Sequence, residues 1–242
     1  MSEPATAVIA VRVEGTLLAP VALPRIGFIV GDALLHAAQV RLAHPTDWVL
    51  RPPAVWEPVP LPVLQQAGVA WTSCVQLPEA VWDTASLAKQ PDAQALQAHP
   101  DAHGRMALDP GRQYMYRPAV ERFPTVWAPR FVVDYAVPAD QLEAFLALVG
   151  AFPLLSLGRY RHHGYGRIGT VSATQLPHDA AAVVWASDGA PRRPVPAAWC
   201  PDPPPRSILR AARLRPPYWF GPEDAAYCPL VHDLYGGPSC RT

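Results

Sequence analysis

Residues 157–169 read Leu157-Gly158-Arg159-Tyr160-Arg161-His162-His163-Gly164-Tyr165-Gly166-Arg167-Ile168-Gly169. Four glycines, three arginines, two histidines and two tyrosines fall within these thirteen residues. Glycine lets the backbone adopt positive φ and approach a ligand closely. Arginine and aromatic side chains suit phosphates and stacked bases. The segment therefore predicts a loop that binds nucleic acid.

The elements on either side of this loop exclude the common nucleotide-binding motifs. The preceding chain predicts a helix from Pro138 to Val149, which Gly150 ends, and the following chain predicts a strand over Ile168–Thr174. A dinucleotide-binding glycine motif needs the reverse order, and no Gly-Lys-Ser/Thr of a Walker A loop occurs. A tight helix-to-strand turn would also use glycine, although it would not require three arginines.

Earlier segments complete the order of elements. They predict a strand, a helix that Asp32 caps and two more strands, over Ala7–Gly15, Ala33–Leu42, Val69–Val75 and Val126–Val137. The order is then βαββαβ, which predicts an α+β fold of the ferredoxin-like or RRM type. In this fold, helices cover one face of an antiparallel sheet, and we expect the other face to be free for a ligand.

Two regions lie outside this βαββαβ core. Residues 77–125 look polar and irregular, and they are long for a connection, so they predict a functional insertion or mobile arm. The Pro-rich C-terminal part predicts short strands over Ala181–Ala186 and around Arg193–Ala197. We therefore expect a ferredoxin-like domain over 1–175, with the insertion at 77–125, and a Pro-rich β extension over 176–242 packed on the same domain.

Charge is distributed unevenly although the net charge is zero. Residues 1–149 carry 10 basic and 14 acidic side chains, whereas residues 150–220 carry 9 Arg and only 3 Asp. Basic character is therefore concentrated around the loop. The sequence has neither a signal peptide nor the roughly 20 consecutive apolar residues of a membrane helix. These features predict a cytoplasmic protein with reduced thiols and no membrane contact.

Signals for metal binding and catalysis are weak. Cys228-x3-His232-x7-Cys240, with Cys200 upstream, could in principle hold zinc, but the spacing matches no common zinc motif. We predict no metal, no cofactor and no catalytic residue. The alternative is metal-free RNA cleavage, in which His36 or His162 acts as a base and Arg159 binds the phosphate.

Two more segments interleave cations with aromatic side chains. They are Tyr114-Met115-Tyr116-Arg117-Pro118 in the insertion and Arg213-Leu214-Arg215-Pro216-Pro217-Tyr218-Trp219 near the C-terminus. Each could stack on bases, or each could anchor its segment on the sheet. The sequence pattern alone leaves both interpretations open.

Four local motifs resemble the RAMP superfamily of CRISPR-associated RNA-binding proteins, and within it the type IV Csf-three family of the Cas-five group. They are the loop Arg161-His162-His163-Gly164-Tyr165-Gly166-Arg167, the segment Pro58-Val59-Pro60-Leu61-Pro62, the segment Arg192-Arg193-Pro194-Val195-Pro196, and Arg215-Pro216-Pro217-Tyr218-Trp219 followed by Cys228-Pro229. The resemblance extends from residue 7 to residue 230 and is weakest over 77–125. His162-His163 depart from the basic or small residues expected in this loop.

The resemblance implies a non-catalytic subunit that holds the 5′ handle of a guide RNA (crRNA) in a type IV CRISPR effector ribonucleoprotein, in defence against plasmids or phage. It implies contacts to a backbone RAMP subunit and to the large subunit, it allows a contact to target DNA near the PAM, and it makes 77–125 a thumb. The RNA-binding residues it implies are Arg159, Tyr160, Arg161, His162, His163, Gly164, Tyr165, Gly166 and Arg167 in the loop, Arg112, Tyr114, Tyr116 and Arg117 in the insertion, and Arg213, Arg215, Tyr218 and Trp219 in the tail.

Two other functions remain open at this stage. A RAMP-type endonuclease would process precursor guide RNA without a metal, using His36 or His162. A structural module would bind other proteins through its Pro-rich tail and would carry no RNA. Neutral net charge is compatible with all three functions.

Overall fold

The computed structural model describes residues 7–24, 27–43, 60–89, 99–100, 106–107, 119–177, 179–216 and 222–236. This part of the chain is a mixed α+β structure with small antiparallel sheets and few helices, as predicted at the level of class. It divides into two compact units, residues 83–125 and the remainder. Over the described ranges, no helix has the length and apolar character needed to cross a membrane.

The described residues contain thirteen strands and four α-helices. The strands are β1 (Val8–Leu17), β2 (Val21–Ala22), β3 (Gln65–Gln66), β4 (Val69–Ala70), β5 (Val81–Lys89), β6 (His99–Pro100), β7 (Met106–Ala107), β8 (Ala119–Trp127), β9 (Arg130–Pro138), β10 (Ile168–Gln175), β11 (Val195–Pro196), β12 (Ser207–Ala212) and β13 (Asp224–Pro229). The helices are α1 (Gly31–Ala43), α2 (Leu142–Gly150), α3 (Ala181–Val184) and α4 (Val231–Tyr235). Short 3-10 turns cover Ala139–Gln141, Phe152–Leu154, Arg161–His163 and Ala197–Trp199.

The central sheet is antiparallel and has the strand order β10–β1–β9. In its middle, Val13 lies opposite Val133 on one side and Ala173 on the other. Side chains alternate between the faces of a strand, so these valines share one face and join the main core with α1 and α2. On the same face, Tyr135 packs edge-on against Phe145 of α2, with ring centroids 5.1 Å apart, and donates a 3.0 Å hydrogen bond to the carbonyl of Gly31.

The strand predicted over Val69–Val75 is shorter than expected. After β4, the chain follows β9 through separate bridges rather than a continuous ladder. Ser73 donates its amide to the carbonyl of Asp134 (2.8 Å), but the amide of Asp134 donates to the Ser73 hydroxyl (2.9 Å). The Ser73 carbonyl instead accepts the amide of Gly31 (2.9 Å). A side chain therefore replaces the backbone in the ladder and interrupts the strand.

The other face of the central sheet is partly covered, contrary to the prediction of a free face. Ala10 of β1 and Ala136 of β9 are buried together with Val183. Val183 belongs to α3, so the strand predicted over Ala181–Ala186 is wrong. Its neighbour Val184 is also buried, whereas a strand with one buried face would expose one of two adjacent side chains.

Helix α1 begins at Gly31, and Asp32 lies inside its first turn rather than capping it. The Asp32 carboxylate is fully buried, and its Oδ2 lies 3.5 Å from Nη1 of Arg193. Arg193 also donates hydrogen bonds to the carbonyls of Ala70 and Leu214, the latter at 2.9 Å. The C-terminal part of the chain is thereby bonded to α1 and to β4.

The strand predicted over Val126–Val137 is two strands. β8 ends at Trp127 and β9 begins at Arg130, because Pro129 between them has no amide to continue a ladder. The region 77–125 was predicted to be irregular, but part of it forms strands. β5 and β8 are hydrogen-bonded neighbours, and β6 pairs with β7.

A second antiparallel sheet near the C-terminus has the order β11–β13–β12. Strand β11 is the only part of the strand predicted around Arg193–Ala197 that forms within the described residues. The guanidinium of Arg210 on β12 lies 4.8 Å from the ring centroid of Phe28, while Ile208 and Leu209 on the same edge strand are exposed. This sheet therefore packs against the chain before α1 through its arginine.

Candidate nucleic-acid interface in the glycine-rich loop

The glycine-rich loop is fixed to the chain that follows β1. The amide of Arg159 donates to the carbonyl of Ala22, and the amide of Gly166 donates to the carbonyl of Pro20, both at 2.8 Å. Within the loop, the amide of Leu157 donates to the carbonyl of Gly166, also at 2.8 Å. These three hydrogen bonds hold both stems and leave residues 160–165 as the tip.

Two glycines are required by the shape of these stems. Gly158 and Gly166 have φ of +77° and +67°, which side chains rarely adopt. A Cβ on Gly158 would overlap the carbonyl oxygen of Ala22, and a Cβ on Gly166 would overlap that of Leu157. Gly164 at the tip also has positive φ (+87°), but no atom lies within 4 Å of where its Cβ would be. The glycines thus serve the turn, as the simpler sequence interpretation allowed.

The tip has an unusual backbone at Tyr160. Its φ of +54° places a large non-glycine residue in the left-handed region, and the 3-10 turn Arg161–His163 follows directly. Strained residues of this kind cluster at functional sites. The turn ends at Gly164, whose amide donates to the carbonyl of Arg161 at 3.0 Å.

Four π systems lie in succession in the loop, and we call them the ring series: Arg159, Tyr160, His163 and His162. The guanidinium carbon of Arg159 lies 4.7 Å from the Tyr160 ring centroid, and its Nη2 donates to the Tyr160 hydroxyl at 2.9 Å. The Tyr160 and His163 centroids are 6.3 Å apart, tilted by 56°. The His163 and His162 centroids are 4.1 Å apart, tilted by 47°.

The loop carries three arginines, and no carboxylate lies close to it in sequence. No Asp or Glu occurs between Glu143 and Asp179. Arg161 and Arg167 are exposed, although surrounding protein atoms partly desolvate the Arg161 guanidinium and lower its pKa, and no ion pair to either of them is formed within the described ranges. His162 and His163 are also exposed, while Arg159, Tyr160 and Tyr165 are half-buried. The backbone, the cations and the rings of the loop can therefore contact the same anionic, aromatic ligand.

All nine predicted loop residues, 159–167, lie within the described structure, and the described Arg213 and Arg215 make contacts with residues outside the loop. Arg213 lies 3.2 Å from Glu223, and the stem of Arg215 packs beside Gly68. Tyr218 and Trp219 lie outside the described residues, as do Arg112, Tyr114, Tyr116 and Arg117 in the insertion. Their roles stay predictions.

Sequence reasoning missed a buried charge cluster centred on Asp134. Its carboxylate accepts hydrogen bonds from Nε of Arg12 (2.8 Å) and from Nη2 of Arg192 (2.7 Å). Burial by itself raises the pKa of Asp134, but the hydrogen bonds and positive charges of the two arginines outweigh it and lower that pKa. An aspartate within the apolar run Phe131–Val137 was the available signal, because a buried acid needs partners.

The described residues considered for catalysis and zinc binding lie on different elements: His36 on α1, His162 in the loop, Cys200 after the 3-10 turn Ala197–Trp199, and Cys228 on β13. His36 is half-buried on α1, and burial lowers its pKa, so its imidazole is neutral at neutral pH. Burial raises the thiol pKa of Cys200 and of Cys228, and Cys240 lies outside the described residues. Among the residues that are described, no three His, Cys, Asp or Glu side chains come close enough together to hold a metal ion.

Comparison with protein-family models and with curated protein sequences identified no relative of this chain. Function therefore has to be argued from the loop and from the sheet that carries it.

Proposed function

We propose that this chain is a non-catalytic, guide-RNA-binding subunit of a type IV CRISPR effector ribonucleoprotein, and that the glycine-rich loop holds the 5′ handle. The observation that carries the proposal is the glycine-rich loop, where exposed Arg161 and Arg167 lie in a 35-residue stretch without any acid, 144–178. Phosphates bind such uncompensated arginines, and unpaired bases stack on neighbouring rings.

The arrangement of the central sheet supports this proposal at the level of fold. The chain over Val69–Gln76 lies beside β9 and extends the order to β10–β1–β9–(69–76). A ferredoxin-like βαββαβ sheet likewise has its first and third strands in the centre and its second and fourth at the edges. The loop then immediately precedes the last strand, which is where the resemblance requires it.

The proposal assigns roles within the loop. Arg161 and Arg167 bind phosphates of the handle, and the half-buried Arg159 orders Tyr160. Arg213, Arg215 and the insertion add contacts to RNA or to the neighbouring subunits. The partners proposed are the crRNA, the backbone RAMP subunit, the large subunit and target DNA near the PAM, in the cytoplasm.

A double substitution, Arg161→Ala with Arg167→Ala, tests the proposal. The matched control is Arg130→Ala with Arg206→Ala, which removes the same charge from surface pairs with Glu14 and Asp188. We expect the loop variant to bind single-stranded handle RNA at least about tenfold more weakly. We also expect the slope of log affinity against log salt to fall by about 1.4, and the control to retain both values. If the loop variant retained as much RNA as wild type in the purified complex, the proposal would be wrong.

Two observations favour other functions, and each of these functions can be tested in parallel with RNA binding. The neutral imidazole of His36 could accept a proton, so an endonuclease would cleave repeat RNA in EDTA and lose activity in His36→Ala or His162→Ala. The exposed Ile208 and Leu209 on an edge strand fit a protein-binding module, which would purify without RNA.

A further inference from the structure

The ring series begins at the half-buried Arg159 and ends at the exposed His162. Tyr160 lies between Arg159 and His163, with its hydroxyl bonded to the guanidinium, so two groups already occupy its surroundings. His162 contacts the series through His163 and is exposed. An incoming flat ligand therefore extends the series most readily at His162 rather than at Tyr160.

The backbone orients this end. Tyr160 occupies the left-handed region, and its carbonyl accepts the amide of His163 at 2.9 Å, which closes the turn under the two imidazoles. The stems on either side are bonded to Pro20 and Ala22. The exposed imidazole is therefore presented by an ordered turn and not by a free chain.

We propose that His162 is a stacking platform for one unpaired nucleobase, so that the loop selects single-stranded RNA over duplex. This inference rests on the proposed RNA-binding function and adds the contact that distinguishes a splayed base from a phosphate backbone. Histidine rings are among the side chains on which RNA-binding proteins stack bases, and a duplex keeps its base faces covered. Arg161 and Arg167, on either side of His162 in the sequence, bind the phosphates that flank this base.

The competing role for His162 is electrostatic. A protonated imidazole would bind phosphate as a third cation in addition to the exposed Arg161 and Arg167 of the same loop, with His163 as its ring neighbour. Stacking needs a flat ring and no charge, whereas a phosphate contact needs a charge and no ring. Substitutions that separate ring from charge therefore distinguish these roles.

The test measures binding of the full chain to oligoadenylate of about eight nucleotides, to an abasic ribose-phosphate backbone of equal length and to the corresponding duplex. His162→Ala should weaken oligoadenylate binding roughly 5- to 100-fold and leave abasic binding unchanged. His162→Phe, measured at pH 8, should restore binding, and His162→Lys should not. The matched control is His232→Ala, which removes another exposed histidine, one that lies beside Asp233.

Each outcome bears on the inference. Rescue by Lys and not by Phe, equal binding of abasic and oligoadenylate strands, or tight duplex binding would overturn the stacking role while leaving RNA binding intact. Failure of the wild-type chain to bind any of the three ligands would instead overturn the proposed function.

Discussion

The buried guanidinium of Arg193 lies 3.5 Å from the buried carboxylate of Asp32, across 161 positions of sequence. The pair joins the first turn of α1 to the chain that leads into β11. Both side chains are excluded from water, where an unpaired charge is costly. Each therefore compensates the charge of the other.

Replacing Arg193 by Met should therefore destabilise the protein strongly, by about 3–5 kcal/mol, because Asp32 would remain buried without its charge partner. Urea unfolding followed by circular dichroism measures the change. Adding Asp32→Leu to Arg193→Met should recover part of the loss. Arg206→Ala, which breaks an exposed pair, should cost no more than about 1 kcal/mol. Equal losses for the two single variants would contradict the role of burial.

Acid should destabilise the protein through Asp134. Its pKa is lower in the folded state than in the unfolded chain, so its contribution is complete above the unfolded value, about 3.9, and is lost as the pH falls through the folded value. The difference in unfolding free energy between wild type and Asp134→Asn should therefore be constant above about pH 5 and shrink below it.

The loop glycines should differ in their tolerance of alanine. Gly166→Ala should destabilise the loop by more than about 1 kcal/mol and weaken RNA binding, because the new Cβ meets the backbone oxygen of Leu157. Gly164→Ala should cost less, since the space around it is open and only its positive φ is unfavourable. Gly150→Ala, at the last position of α2, should be neutral or stabilising. Thermal unfolding and an RNA titration of the three variants would show this order, and a reversed order would contradict it.

Thiol reactivity should report the packing of the core. Cys74 and Cys228 are buried, and burial raises their pKa, so at neutral pH they should react with a disulfide reagent only after unfolding. Cys200 is half-buried and should react first among these three. Mass spectrometry after timed labelling, with a urea-unfolded sample as reference for all four cysteines, measures the order. Early labelling of Cys74 would contradict the packing described.

The parts of the fold that could be predicted are those encoded by local patterns. β1, α2 and β10 follow from runs of β-branched residues or from helical spacing, and the loop between α2 and β10 follows from its glycines. Two of the failures involve partners that are distant in sequence. Ser73 interrupts a strand where its hydroxyl accepts the amide of Asp134, and Asp32, inside the first turn of α1 rather than at its cap, is paired with Arg193.

The site was predictable in composition but not in arrangement. The run 159–167 already placed cations and rings next to one another in sequence. The order Arg159, Tyr160, His163, His162 depends on the left-handed backbone at Tyr160, and no sequence pattern indicates that a tyrosine will adopt it.

The hydrogen bonds from Arg159 to Ala22 and from Gly166 to Pro20 have a thermodynamic consequence for any ligand of the loop. A loop that is already ordered loses little conformational entropy when it binds, so most of its contact energy appears as affinity. Calorimetry should then show a small entropic penalty for the wild-type loop and a larger one for Gly166→Ala, with similar binding enthalpies. The short segment after β1 would thus set binding strength without touching the ligand.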